Sequence, residues 1–126
     1  MIHLDTNLLI AATDPGDIHA SVVNKIMDSA GPFAASACAW TEYRSRPVEP
    51  VRDNVLHRML AGGIVPFDEQ TAALAGELFH LTGSTRRTRM DVMIAATAIH
   101  AGAELATANP ADFLAFLPHG LVLHAI

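Results

Sequence analysis

The sequence predicts an α/β fold in three layers, with helices on both faces of a mostly parallel central sheet of four or five strands. Short apolar runs alternate with longer segments of helical periodicity, and Gly, Pro and Asp residues separate the two. Strands that alternate with helices are joined by right-handed crossovers, which makes neighbouring strands parallel. A chain of 126 residues is expected to form a single domain over residues 1–126.

Five short apolar runs have the length and composition of strands. They are residues 2–5, 33–36, 64–67, 105–107 and 121–124. Pro66 has no backbone N–H to donate to a ladder, so the third run is predicted to lie at an edge of the sheet. The first run ends in Asp5, Thr6 and Asn7, and the carboxyl ends of such strands are where open α/β sheets bind ligands.

The segments between these strands have the apolar spacing and terminal residues of helices. The predicted helices cover residues 6–13, the residues that follow Asp17, and residues 37–46, 51–60, 69–81, 92–101 and 110–116. Asp17, Asp68 and Asp91 are predicted to cap or open three of these helices, and Gly102 to end the sixth. Residues 83–89 are predicted to form a polar, arginine-rich loop.

Composition excludes several classes of protein. The formal net charge of −5 argues against a simple basic nucleic-acid binder. Cys38 is the only cysteine, so no internal disulfide forms and a reducing cytosol is expected. No apolar run approaches the ~20 residues that a membrane helix needs, and the start of the chain lacks the basic segment of a signal peptide. These features predict a cytoplasmic protein without a membrane partner.

Three acidic residues occupy unusual positions in this pattern. Asp5 ends the first strand, Glu42 lies in an otherwise apolar helix, and Asp91 heads the most apolar helix of the chain. A further polar group is expected from Asn109 or Asp112, which come just after the fourth strand. If the sheet is parallel, all of these segments converge on its carboxyl edge.

Carboxylates that are brought together repel one another, and this repulsion raises their pKa values. A cluster without an intervening lysine or histidine is most easily explained as a site for Mg²⁺ or Mn²⁺, which take oxygen ligands. Such a site suits metal-assisted hydrolysis of a phosphodiester, because the metal activates water and offsets charge on the phosphate.

Each acid also has a purely structural interpretation. Asp5 and Asp91 precede predicted helices, where Asp is a favoured N-cap. Glu42 would then be an exposed helical residue, and Asp112 an acid in the first turn of a helix. Asn109 would be a cap as well. The combination of positions, rather than any single residue, favours a shared site.

Four stretches carry these residues in order, and together they resemble the PIN domain, especially the VapC-type toxin ribonucleases of toxin–antitoxin pairs. The stretches are Leu4-Asp5-Thr6-Asn7, Thr41-Glu42-Tyr43-Arg44, Asp91-Val92-Met93-Ile94-Ala95-Ala96-Thr97-Ala98 and Thr107-Ala108-Asn109-Pro110-Ala111-Asp112-Phe113. The resemblance extends from residue 1 to residue 113, nearly the whole chain.

The resemblance implies a metal-dependent endoribonuclease that acts as the toxin of a type II toxin–antitoxin system. It implies Asp5, Glu42 and Asp91 as the catalytic acids around Mg²⁺ or Mn²⁺, an RNA substrate, an antitoxin partner and a homodimer. Many members carry a fourth acid at the position matched here by Asn109, with Asp112 three residues further on. The resemblance leaves two alternatives open: the site holds one metal or two, and the fourth ligand is Asn109 or Asp112.

Polar residues beside the acids are candidates for holding the carboxylates in place. Thr6, Asn7 and Thr107 are each able to hydrogen-bond a carboxylate and fix its rotamer. Capping or turn formation explains the same three residues equally well.

Arginines flank two of the three acids in the sequence. Five of the seven arginines do so, namely Arg44, Arg46, Arg86, Arg87 and Arg89. Because arginine suits phosphate recognition, these residues are predicted to contact RNA or the antitoxin. A solvated loop with helix-end charges is the structural alternative.

Two further functions compete with this interpretation. A phospho-receiver domain also has acids after its first strand, but it needs a late lysine, and Lys25 is the only lysine. A PIN fold that binds RNA or a protein without cutting is the other alternative, because Asn109 replaces an acid.

Overall fold

The computed structural model describes residues 1–126, and its centre is a five-stranded parallel sheet. The strands are β1 (Ile2–Leu4), β2 (Phe33–Ser36), β3 (Ile64–Val65), β4 (Glu104–Ala106) and β5 (Val122–Leu123). Their spatial order is β3-β2-β1-β4-β5, so the first strand of the sequence is the central strand of the sheet. This arrangement confirms the predicted fold class.

Six α-helices and two 3₁₀ segments connect the strands. The helices are α1 (Thr6–Thr13), α2 (Ala20–Met27), α3 (Ala37–Arg44), α4 (Pro50–Met59), α5 (Glu69–Leu81) and α6 (Arg89–Ala101). The 3₁₀ segments cover Arg86–Thr88 and Pro110–His119. No helix combines the length and apolar character needed to cross a membrane.

The direction of the crossovers creates a crevice between β1 and β4. The connections from β1 to β2 and from β2 to β3 step toward one edge of the sheet, whereas the connection from β3 to β4 returns past β1. Right-handed crossovers therefore place α1 to α4 on one face and α5 with α6 on the other. The chain leaves β1 and β4 toward opposite faces, and ligands of open α/β sheets bind at such a switch point.

Helix α6 is built from small residues that let it pack closely against the sheet. Ala95, Ala96 and Ala98 are fully buried, and α6 contacts both β2 and β4. The helix ends at Ala101, just before β4 begins, so it runs antiparallel to the strands. Its first turn, which contains Asp91, consequently lies at the carboxyl edge of the sheet.

Several predicted boundaries are wrong, and the reason is local hydrogen bonding. Asp17 does not cap α2; its side chain accepts from the backbone of His19 in a turn, and the helix begins at Ala20. Asp91 does not open α6, because the helix begins two residues earlier, at Arg89. The predicted loop over residues 83–89 contains a 3₁₀ turn that leads into the helix.

Three strands, β1, β3 and β5, are shorter than predicted, β4 begins one residue early, and β2 has the predicted ends. Strand β3 ends at Val65, before Pro66, and it lies at the edge of the sheet. The helix predicted over residues 110–116 is a 3₁₀ segment that continues to His119. Asp68 caps α5 as predicted, and its carboxylate accepts from the backbone of Thr71 at 2.9 Å.

Candidate active site

Asp5 lies in the crevice between β1 and β4. It is the N-cap of α1, and its Oδ1 accepts a hydrogen bond from the backbone N–H of Thr6 at 2.8 Å. Its Oδ2 accepts from the hydroxyl of Thr107 at 2.7 Å. Because Thr107 directly follows β4, this bond joins the carboxyl ends of the two strands on either side of the crevice.

Asp5 is only 7% exposed, and its surroundings disfavour its charge. Burial raises the pKa of Asp5, and the nearby charges of Glu42 and Asp112 raise it further, against the hydrogen bonds from Thr107 and Thr6 that lower it. Asp5 is therefore both a helix cap and a member of an anionic cluster.

Glu42 reaches the same cluster from α3. That helix begins at Ala37 because the side chain of Ser36 accepts from the backbone of Ala39 at 3.0 Å. The hydroxyl of Thr6 donates to Oε1 of Glu42 at 2.6 Å. Thr6 therefore holds the side chain of Glu42 in place. Oε2 of Glu42 has no protein donor.

Asp91 lies in the first turn of α6 and is partly buried. Burial raises its pKa to about 6, and the charges of Asp5, Asp112 and Glu42 add to this shift. The three acids predicted from the sequence therefore act on one another electrostatically, although they come from three separate segments.

Asp112, rather than Asn109, contributes charge to this cluster. The carboxylate of Asp112 raises the pKa values of both Asp5 and Asp91. Asn109 is exposed at the start of the 3₁₀ segment, and its backbone N–H donates to the Thr107 hydroxyl at 3.0 Å.

Asn7 has a structural contact on the same side of the sheet. Its Oδ1 accepts from the backbone N–H of Ala108 at 3.4 Å, which ties the start of α1 to the loop after β4. Among the three polar residues predicted to support the acids, Thr6 and Thr107 bond carboxylates directly, whereas Asn7 bonds the backbone.

The five flanking arginines do not neutralise the acids. Arg44 instead pairs with Asp53 on α4 at 3.2 Å, and Arg46 lines a cavity of about 130 Å³ beside Glu49. Arg89 lies over the ring of Phe79, 5.6 Å from its centroid. The remaining two, Arg86 and Arg87, are exposed in the 3₁₀ turn before α6.

Cys38 also lies close to the acidic cluster, on α3. Burial raises the pKa of its thiol, and the charge of Glu42 raises it further. The thiol is therefore held in its protonated form, and Cys38 is a small buried residue of the core.

The chemistry of the carboxylates fits a hard divalent cation that keeps most of its water. Asp5, Glu42, Asp91 and Asp112 form no ion pair with any Lys, Arg or His, so their mutual repulsion is uncompensated within the chain. No three His, Cys, Asp or Glu side chains form a closed cage for one ion. Mg²⁺ commonly binds through only one or two carboxylates and several waters.

The fold and this acidic site define a class of protein. The model of the PIN domain family matches residues 2–115, and the chain belongs to this family. A search of curated proteins found no significant match.

Solved structures of similar proteins agree with this assignment. FitAcB from Neisseria gonorrhoeae is 28% identical, with a TM-score of 0.70, over 98% of this chain and 97% of that one. The structure of FitAB bound to an IR36 DNA fragment is 26% identical, also with a TM-score of 0.70, over 98% and 94% of the two chains. VapBC2 from Rickettsia felis, bound to a promoter DNA fragment, is 22% identical over 98% of both chains, has a TM-score of 0.66 and shares the fold.

Proposed function

We propose that this protein is a metal-dependent endoribonuclease and the toxin of a type II toxin–antitoxin pair. The observation that carries the proposal is the uncompensated carboxylate cluster at the switch point of a PIN fold, where the pKa of Asp91 is raised to about 6. PIN domains are generally nucleases, and phosphodiester hydrolysis is the reaction that such a site supports.

Asp5 and Asp91 are the residues that would hold Mg²⁺ or Mn²⁺, directly or through its waters. When bound, the ion polarises the scissile phosphate and lowers the pKa of a bound water. Glu42 would orient the attacking water through Oε2, which has no protein donor. Thr6 and Thr107 keep the carboxylates in their rotamers through the bonds of 2.6 Å and 2.7 Å.

The RNA contacts are assigned to the three arginines in the turn before α6 and at its first residue. Arg86 and Arg87 are exposed and free of ion pairs, and Arg89 lies two residues before Asp91, so all three are available to phosphate groups. Arg44 is held by Asp53, which makes it a weaker candidate.

A cognate antitoxin is the expected protein partner. FitAB and VapBC2, which are similar to this chain, were solved as complexes on DNA. We also expect a homodimer in the cytoplasm. Light scattering of the purified protein would measure its mass, and a monomer at micromolar concentration would contradict the dimer.

A second function is favoured by one observation. Because no three carboxylates form a closed metal cage, a PIN fold that binds RNA or a protein without cutting is the alternative. The two functions differ in a measurable way: only the nuclease shortens RNA when a divalent cation is supplied.

The decisive experiment is cleavage of a structured RNA by the purified protein. We expect cleavage with Mg²⁺ or Mn²⁺ and none after a chelator is added, with activity restored by excess cation. Asp5→Asn and Asp91→Asn proteins, purified identically, control for contaminating nucleases and should be inactive. Cleavage that survives the chelator or both substitutions would overturn the metal mechanism.

A matched pair of variants tests the fourth position of the site. Asp112→Asn removes a charge that acts on both Asp5 and Asp91, so cleavage should fall by about 10-fold or more. Asn109→Ala leaves the backbone bond to Thr107 in place and should retain most activity. The reverse order of effects would assign the fourth position to Asn109.

A further inference from the structure

Three side chains from distant parts of the sequence form a hydrogen-bonded chain outside the acidic cluster. The hydroxyl oxygen of Ser29 lies 3.0 Å from Nε2 of His124. Nδ1 of His124 lies 2.7 Å from Oε1 of Glu104. Glu104 begins β4, whereas Asp5 follows the end of β1, so this group and the acidic cluster lie toward opposite edges of the sheet.

The partners of the imidazole fix where its proton lies. A carboxylate only accepts hydrogen bonds, so the bond to Glu104 requires a proton on Nδ1 of His124. In the neutral imidazole, Nε2 then carries the lone pair and accepts the hydroxyl proton of Ser29. A serine, an imidazole and a carboxylate joined through these same atoms are the groups that activate a serine for nucleophilic attack.

We propose that Ser29, His124 and Glu104 form an acyl-transfer site, separate from the acidic cluster, for small activated carboxylic esters. The proposal does not depend on the nuclease function. Ser29 is the nucleophile, His124 moves its proton, and Glu104 holds the imidazole in the required tautomer.

The surroundings of Ser29 provide access and hydrogen-bond donors. Ala30 and Gly31 are exposed, and their backbone N–H groups donate to no acceptor within the chain. Donors that follow the nucleophile in sequence are available to the oxyanion that forms during acyl transfer.

The chemical step balances without any further reactant. Oγ of Ser29 forms a bond to the ester carbonyl carbon while its proton passes to Nε2 of His124. The bond from that carbon to the leaving oxygen breaks, and the imidazole delivers the proton to the departing alcohol. Water then attacks the acyl-serine, gives its proton to His124, and releases the carboxylic acid as Ser29 regains its proton.

The position of Ser29 limits the rate that we expect. It lies two residues after the end of α2, where the carbonyl end of the helix and the charge of Asp28 oppose a developing oxyanion. Esters and fluorophosphonates with good leaving groups are therefore the appropriate probes, because their leaving groups need little stabilisation by the protein.

The test is covalent labelling of the full chain with a fluorophosphonate, read by mass spectrometry. Attack by Ser29 forms an Oγ–P bond, breaks the P–F bond and releases fluoride, with the proton taken by His124. We expect one adduct, on the peptide that contains Ser29. His124→Ala and Glu104→Gln should slow labelling, the first by at least about 100-fold. p-Nitrophenyl acetate hydrolysis should fall in parallel.

Matched controls separate this site from general reactivity and from the nuclease. Ser21→Ala removes an exposed serine on α2 and should leave labelling unchanged, as should Asp5→Asn. Circular dichroism of each variant establishes folding, and Glu104→Gln supplies a near-isosteric test if His124→Ala unfolds. Three outcomes would overturn the proposal: no adduct, scattered adducts, or labelling that is independent of both His124 and Glu104. The hydrogen bonds among Ser29, His124 and Glu104 would then have a structural role only.

Discussion

Helices α1 and α5 both begin with an aspartate at the N-cap position, but the pKa values of the two carboxyl groups are shifted in opposite directions. Asp5 caps α1 and Asp68 caps α5, both with extended backbone angles. Hydrogen bonds from the backbone and hydroxyl of Thr71 lower the pKa of Asp68, which faces solvent. Burial raises the pKa of Asp5 although it also accepts two hydrogen bonds.

The difference shows what capping alone does to an acid. At Asp68 the cap stabilises the ionised form, because water solvates the rest of the carboxylate. At Asp5, the loss of water and the charges of Glu42 and Asp112 outweigh the same kind of hydrogen bonds. A role as a cap explains Asp68 fully, whereas Asp5 bears an electrostatic cost that a bound cation would offset.

The largest expected effect comes from the same substitution at both caps. Asn retains a capping oxygen, so Asp5→Asn and Asp68→Asn both keep their helices. RNA cleavage should fall by at least about 100-fold in Asp5→Asn and stay within about twofold in Asp68→Asn, since surface changes of this kind have small effects. Initial rates at saturating Mg²⁺ measure both. Equal losses would reduce Asp5 to a structural cap.

The threonines beside the two acids provide the next comparison. Thr6 donates its hydroxyl to Glu42 at 2.6 Å, and Thr71 donates its hydroxyl to Asp68 at 2.7 Å. Thr6→Val should lower cleavage by about 10-fold, because Glu42 loses the bond that fixes it. Thr71→Val should lower the melting temperature and leave the rate constant unchanged. If Thr6→Val loses stability but not activity, Glu42 needs no such support.

Two variants, one that removes a cap and one that removes only a charge, should separate the two contributions to stability. Asp68→Ala deprives Thr71 of the acceptor for both of its bonds and should lower the melting temperature. Asp5→Asn, measured without metal, should match or exceed the wild-type melting temperature, because a buried charge is removed while the cap remains. Thermal denaturation followed by circular dichroism gives both values. A lower melting temperature in both variants would favour the capping interpretation of Asp5.

The smallest effect is a pH dependence that belongs to Asp91. Its pKa rises from the ordinary 3.8 to about 6 in the folded state, so ionising it costs stability as the pH rises through this range. In a chelating buffer, Asp91→Asn should melt above the wild type at pH 7, and the difference should vanish near pH 4. A difference that is the same at both pH values would contradict the shift.

His3 does not disturb that comparison. Burial and the charge of the N-terminus lower its pKa to about 4, so acid destabilises the fold through His3. The wild type and Asp91→Asn share this residue in the same strand, and its contribution cancels from their difference.

The sequence was sufficient to predict the ends of those helices and strands that are specified by nearby residues. Strand β2 and helices α1 and α5 have the predicted ends, because apolar periodicity and the Asp68 cap act within a few residues. The start of α6 was predicted three residues late, at residue 92 instead of Arg89, since the Arg86–Thr88 turn that leads into it has no apolar pattern. The beginning of α2 was wrong for a similar reason, as a turn engages Asp17.

The convergence of the three acids was predictable from the sequence, whereas their individual contacts were not. Asp5, Glu42 and Asp91 were selected from their positions in the pattern, and the structure places their charges within reach of one another. The sequence indicated Thr6 as a donor to a carboxylate, but it did not indicate that the acceptor is Glu42 or that Arg44 pairs with Asp53, because each partner lies on another helix.

The sequence by itself determined the alternation of strands and helices, the acids at their ends and the absence of nearby lysines. Only the tertiary structure decided that β1 lies beside β4, that Thr107 therefore bonds Asp5, and that Asp112 rather than Asn109 adds its charge to the cluster. The physical reason is that periodicity and capping are local properties of the chain, whereas burial and Coulomb interaction depend on which distant segments pack together.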